Sequence, residues 1–102
     1  MEVKTFTKRD IAIKVGKNLN MSIRKSIVYT DEVFKAVREL LCEDEDYIRV
    51  EIRNFGALES KPTKAKPKAR NPKTNEEIFV PAHKKTHFKP GKILKNHLKK
   101  PT

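Results

Sequence analysis

The sequence predicts an α+β fold: two N-terminal helices, a three-stranded antiparallel sheet extended into a long β-ribbon arm, and a short C-terminal helix. Three observations carry this. Apolar residues recur at helical spacing through the first forty positions, and the period drops to two at Tyr47. Farther on, a run alternating basic with small residues, Lys64 to Arg70, leads to the strand-forming Ile78-Phe79-Val80. Helices segregated from a small antiparallel sheet are expected to pack on one side of it.

The first helix opens at Thr7, whose hydroxyl can cap free amides, with Asp10 three residues on at the acidic position of a capping box. Ile11, Ala12, Val15 and Leu19 give its apolar side, and Asn18 to Asn20 end it. Ser22 is the candidate cap of a second helix of about 20 residues. Ile23, Ile27, Phe34, Val37 and Leu41 form its stripe, widened by Val28, Val33 and Leu40. That stripe is broad enough to meet more than one partner. Glu43-Asp44-Glu45-Asp46 opposes the helix dipole and stops it.

Ile48, Val50 and Ile52 then face one way and Arg49, Glu51 and Arg53 the other. Asn54-Phe55-Gly56 reads as a turn, and Ala57-Leu58-Glu59 begins the return strand. In an extended ribbon, residues two apart lie about 6.6 Å from each other on one side. Lys64, Lys66, Lys68 and Arg70 would thus share a cationic face, opposite Ala65, Pro67 and Ala69. Pro62, Pro67 and Pro72 exclude a central strand but suit a two-stranded ribbon, which has only edges. Asn71 to Asn75 is the expected reversal. The alternative is a solvated Lys/Ala/Pro tail that orders on a polyanion. Pro90 suits the first turn of the last helix, where Ile93, Leu94 and Leu98 are apolar and Lys92, Lys95, Lys99 and Lys100 are charged.

Charge points to the partner. The net charge is +11 over 102 residues, and residues 1–60 contribute none of it, with 11 basic and 11 acidic side chains. Residues 61–102 hold 13 Lys/Arg against only Glu76 and Glu77. A neutral scaffold thus carries a polyanion-binding surface, with nucleic acid the first candidate. A membrane surface would require a broad apolar face opposite the lysines, which residues 61–77 lack. No apolar run approaches the roughly 20 residues of a membrane span. The N-terminus does not read as a signal peptide, so a cytoplasmic location is expected. Cys42 is the sole cysteine; it fits a reducing compartment and is expected to be a buried or half-buried small hydrophobe.

Other chemistry is poorly supported. His83 and His87 are four apart, but no Cys or acid is near, and Lys84 and Lys85 would repel a cation, so no metal site is expected. No nucleophile–base–acid arrangement stands out; neither catalysis nor a cofactor is expected.

Several motifs carry a resemblance. Asn54-Phe55-Gly56, Ala69-Arg70-Asn71-Pro72-Lys73-Thr74, Pro81-Ala82, and Phe88-Lys89-Pro90-Gly91-Lys92 with Leu94-Lys95 occur in an order similar to that of the HU / integration host factor family. These are bacterial architectural, histone-like DNA-binding proteins of the nucleoid. The resemblance spans about Thr7 to Leu98. It implies an intertwined dimer, homodimeric or with a paralogue, whose two arms embrace double-stranded DNA through the minor groove. The arm-tip proline matches Pro72, which would wedge between base pairs and kink the duplex; a ring that donates no hydrogen bond suits that task. Arg70 and Asn71 would lie in the groove, with Lys64, Lys66, Lys68 and Lys73 along the arm. Phosphate contacts are expected from Thr7, Lys8, Lys61, Lys84, Lys92 and Lys95. Phe55 and Phe88 match core positions, and His83 and His87 would lie in a strand. The expected organisation is one DNA-binding domain, 1–102, with a core of about 5–60 and 82–100 and an arm of about 61–81.

The chain departs from the family where glycines are usual: Ala69 before Arg-Asn-Pro, Asn75 after Thr74, and Asn54 before Phe-Gly. The arm and the stretch between the first two helices are each slightly longer. The function this implies is bending and compaction of DNA with low sequence specificity. A sequence-specific bender in the manner of integration host factor is one alternative. A small basic protein on structured RNA is another, although RNA's shallow minor groove gives a narrow arm little to grip.

Overall fold

The computed structural model describes residues 2–64, 66–70 and 73–99. They fall into two compact units, Met1–Leu40 and Leu41–Thr102.

In the first unit, α1 spans Lys8–Leu19, and α2, which begins there, spans Ile23–Leu41. The capping box forms as the sequence predicts. Thr7 Oγ1 accepts from the Asp10 amide at 3.4 Å, and the Thr7 amide donates to Asp10 Oδ2 at 2.8 Å. Asn20 ends the helix in the left-handed region, at φ 55°. Ser22 Oγ then accepts from the Lys25 amide at 3.2 Å, which makes it the cap expected for α2. The two helices approach closely at Gly16, where a Cβ would lie 2.3 Å from Ser26 Oγ. Lys8 ties the start of α1 to Asp31 on α2 at 2.9 Å.

What these helices bury is unexpected. Ala12, Gly16, Ser26 and Thr30 are inside, and all are small. Much of the α2 stripe stays in solvent, Val28 being 59% exposed, Val33 60% and Phe34 42%, while Ile27, Val37 and Leu41 are half-buried. Burying one such side chain is worth about 1.5–3 kcal/mol, so a stripe of this breadth is a large unmet driving force in a single chain.

In the second unit, β1 (Ile48–Ile52), β2 (Gly56–Pro62) and β5 (Lys84–Pro90) form an antiparallel sheet in the order β1-β2-β5, while β3 (Lys66–Arg70) pairs with β4 (Glu77–Val80). The turn between β1 and β2 has Asn54 at φ 65°, the conformation that a glycine more commonly supplies. Gly56 is needed there for another reason. A Cβ on it would lie 2.4 Å from the Lys89 carbonyl oxygen. Val50, Leu58 and Phe88 form one row across the sheet, and Arg49, Glu59 and His87 the next, on the opposite face. Phe55 and Phe88 do pack, with ring centroids 5.2 Å apart, yet they remain 47% and 41% exposed. As with α2, a second surface is required to complete this core.

The last helix, α3, spans Lys92–Leu98 with Gly91 at its N-cap. Pro90 is therefore not in its first turn, as expected, but ends β5 opposite Gly56. β5 is an edge strand, and its terminal residue tolerates the missing donor. The next amide, that of Gly91, bonds to the Phe55 carbonyl at 2.7 Å. Cys42 also departs from expectation: it is exposed, in the turn after α2, where the acidic run holds the chain in solvent.

Candidate nucleic-acid interface

The sheet narrows on its way to the arm. β1 reaches only as far as Ile48↔Ser60, so from Lys61 onward two strands continue alone. The antiparallel offset that runs from Gly56↔Pro90 to Pro62↔Lys84 is kept where Thr63 stands opposite His83, and it recurs at Lys66↔Val80, where the second pair of strands begins. At Thr63 the strands are clasped by more than the ladder. The Thr63 amide donates to the His83 carbonyl at 2.6 Å, and Thr63 Oγ1 donates to the same oxygen at 3.0 Å. His83 Nδ1 lies 2.9 Å from the Pro81 carbonyl, which fixes the ring along its own strand.

Beyond Lys66 the register shifts, so that Ala69 pairs with Ile78 and Arg70 with Glu77. The strict alternation expected from Lys64 to Arg70 is thus interrupted in the pairing. Pro67 lies at the irregularity, where a residue without an amide proton is best accommodated. Ala69, in place of a glycine, sits in a paired strand that requires no left-handed backbone. Asn75, the other replacement, does adopt it, at φ 58°. Asn71 and Pro72 lie outside the described residues.

Of the side chains expected along the arm, Lys64 and Lys73 are exposed, and of those expected at phosphates Thr7, Lys8, Lys84, Lys92 and Lys95 are exposed. Some have internal partners. Lys8 pairs with Asp31, Thr7 with Asp10, and the Lys84 ammonium donates to the Glu45 carbonyl. Lys61 lies 5.9 Å from the centre of the Tyr47 ring.

Sequence reasoning missed one cluster. On the polar face of the sheet, Glu59 is buried, with only 4% of its side chain exposed, and three cations from three strands surround it. Lys89 Nζ is 2.9 Å from Oε1, Arg49 Nη1 3.8 Å from Oε1 and Lys61 Nζ 3.9 Å from Oε2. Period-two alternation puts Arg49, Glu59 and Lys61 on one face, but only the strand register brings Lys89 to them. An open groove of about 660 Å³ adjoins this cluster, lined by Arg49, Arg53, Lys89 and Lys92 among others.

The Lys89 ammonium holds the Glu59 carboxyl below its ordinary value of 4.5, against the opposing effect of burial, with Lys61 and Arg49 assisting. The Thr7 amide and hydroxyl likewise hold Asp10 below 3.8. A lowered folded-state value means that the stability contributed is present above the unfolded value and is lost as pH falls through the folded one. Resistance to urea is therefore expected to stay level from neutrality to about pH 5 and to decline below it. A denaturation series in pH checks this; Glu59→Gln should make the decline shallower.

Among the described residues no group of three or more His, Cys, Asp or Glu is placed to hold a metal, and no helix is long and apolar enough to cross a membrane. Fold and surface together define a basic protein built to present a two-stranded arm to a polyanion.

Comparison with known proteins agrees. The bacterial DNA-binding protein family matches residues 6–99, and the chain belongs to that family, whose members are architectural, non-enzymatic proteins that act as dimers on DNA. DNA-binding protein HU of Streptococcus mutans is 37% identical over 92 residues, covering 90% of this chain and 97% of that one. The SPbeta prophage-derived DNA-binding protein HU 2 of Bacillus subtilis is 36% identical over 94 residues, covering 92% and 98%. Integration host factor subunit alpha of Saccharophagus degradans is 34% identical over 91 residues, covering 89% and 86%. The fold is shared with HU in an Anabaena HU–DNA cocrystal structure, with a TM-score of 0.79 at 24% identity, over 94% of this chain and all of that one.

Proposed function

We propose that this chain works as a single DNA-binding domain, 1–102, that bends and compacts duplex DNA with low sequence specificity. It acts as an intertwined dimer whose arms, about 61–81, enter the minor groove. The observation that carries the reading is the ribbon: one register extends the sheet past its third strand into the most basic part of the chain. Pro72 is the wedge, Arg70 and Asn71 lie in the groove, and Lys64, Lys66, Lys68 and Lys73 follow the backbone. Thr7, Lys8, Lys61, Lys84, Lys92 and Lys95 hold phosphates along the bent path, with Lys8 and Lys84 exchanging their internal partners for DNA. Exposed apolar side chains on α2 and the sheet support the dimer. Its place is the cytoplasmic nucleoid, in keeping with the family.

A duplex labelled at both ends for energy transfer tests the proposal. Transfer should rise on titration and saturate at two chains per site; binding without a rise would reject bending. Replacing Lys64, Lys66 and Lys68 together by Gln should weaken binding to all sequences. It should also flatten the slope of log affinity against log salt by about 5, since the two arms of the dimer lose six lysines between them and each phosphate no longer neutralised removes about 0.9 from it. A triple variant with the parent's slope would show that the arm does not touch phosphates.

A further inference from the structure

Glu59 is oddly placed for a protein that binds a polyanion. It stands on the polar face of the sheet, opposite the apolar row of Val50, Leu58 and Phe88. Its carboxylate is almost fully covered, and what covers it is cationic. The three cations are themselves accessible, with Arg49 50%, Lys61 31% and Lys89 57% exposed. Each has more donors than this one carboxylate can accept: an ammonium carries three N–H groups and a guanidinium five. Arg49 is shared, since its Nε also bonds to Glu51 Oε1 at 2.9 Å. Lys89 is therefore the partner most fully committed to Glu59.

A carboxylate and a phosphodiester present the same thing to these groups: one negative charge spread over two oxygens. We propose that Glu59 is an internal counter-anion standing in for a DNA phosphate among Lys89, Arg49 and Lys61, and that the duplex backbone binds this face by drawing those cations away from it. The inference rests on the DNA-binding reading above and adds to it a residue that limits affinity. Two effects oppose each other here. Glu59 gathers three long side chains, which favours a ready-made phosphate site. It also places a negative charge directly beneath the incoming one, under cations it already partly neutralises. The second effect is the larger, because ordering a few surface rotamers is a modest gain while like charges a few ångströms apart on a half-dry surface repel strongly.

Fluorescence anisotropy of labelled duplex DNA across a salt series, with the full-length chain, tests this. Glu59→Gln keeps the shape of the side chain and removes its charge. It should bind about three- to tenfold more tightly than the parent, with a salt slope steeper by about two, the signature of one further phosphate contact in each protomer of the dimer. Glu43→Gln, in the acidic turn after α2, removes the same charge elsewhere and should shift affinity less than twofold. Lys89→Gln should weaken binding and lower the slope by about two, one contact from each protomer. The proposal is overturned if Glu59→Gln matches Glu43→Gln, or if it binds more weakly than the parent. Should thermal unfolding show that Glu59→Gln does not fold, Lys89→Gln decides: an unchanged slope there overturns the exchange. The parent curve separates the two ideas. A parent that does not bind duplex DNA removes the functional reading itself, whereas a binding parent beside an unaltered variant removes only the role of Glu59.

Discussion

Pro72→Ala is expected to leave the protein folded and bound to DNA while energy transfer across an end-labelled duplex drops towards that of free DNA. The reasoning begins at the arm. β3 ends at Arg70 and β4 begins at Glu77, with Arg70↔Glu77 as the last pair, and in the sequence Pro72 falls between these two strands. A wedge must offset an unstacking cost of a few kcal/mol per base step, and a rigid apolar ring does so where an alanine methyl does not. Since about 1.4 kcal/mol is a factor of ten, the preference for nicked or kinked DNA over intact duplex should fall at least tenfold. Cationic contacts along the rest of the arm remain, so affinity for straight duplex should change much less. If Pro72→Ala bends DNA as well as the parent does, the wedge lies elsewhere.

A second large effect is expected at Phe88. Its ring meets Phe55 and lies in the row with Val50 and Leu58, yet two-fifths of it faces solvent in the single chain. Among the residues whose burial is described, Ala12 and Ala57 are the buried hydrophobic side chains. Such a chain gains too little from its own burial to offset the entropy of ordering, so its stability must come from a second copy. Thermal unfolding should then depend on concentration, with Tm rising over about a hundredfold range of protein. Phe88→Ala should cost about 3–5 kcal/mol, a large part of the stability of an ordinary domain. Sedimentation of the variant should show loss of the dimer along with loss of helical circular dichroism. A Tm independent of concentration, with Phe88→Ala nearly neutral, would show that the exposed faces are not an interface.

Much of this architecture was legible in the residues because local signals and fold agree. Thr7 and Asp10 announce a helix start through chemistry confined to four residues, and the structure has the box complete. The change of period at Tyr47 marks a strand because alternation has no other use. Pro90 misled because its fixed φ suits a helix start and a strand end alike, and only the pairing with Gly56 decides. The Glu59 cluster was invisible for a related reason: Lys89 follows Glu59 by 30 positions, and register rather than spacing joins them. The shift between Lys66 and Ala69 was hidden likewise, since an alternating sequence does not reveal where its partner strand loses step. The helices were predicted in place, and the breadth of the α2 stripe already pointed to more than one partner; what spacing did not show is that only small residues are buried between α1 and α2.

The turns of this protein separate two properties that glycine usually supplies together. None of its three glycines has a positive φ, and the described residues that do are Asn20, Asn54 and Asn75. Gly16, Gly56 and Gly91 are instead placed where an added Cβ would lie 2.3, 2.4 and 3.0 Å from a neighbouring atom. Asparagine thus takes the left-handed corners, and glycine is kept for want of room. Because asparagine samples fewer backbone states than glycine before folding, less disorder is surrendered at each corner. Two of those corners, Asn54 and Asn75, border the strands of the ribbon, so the unfolded chain is already biased towards the places where the ribbon must turn.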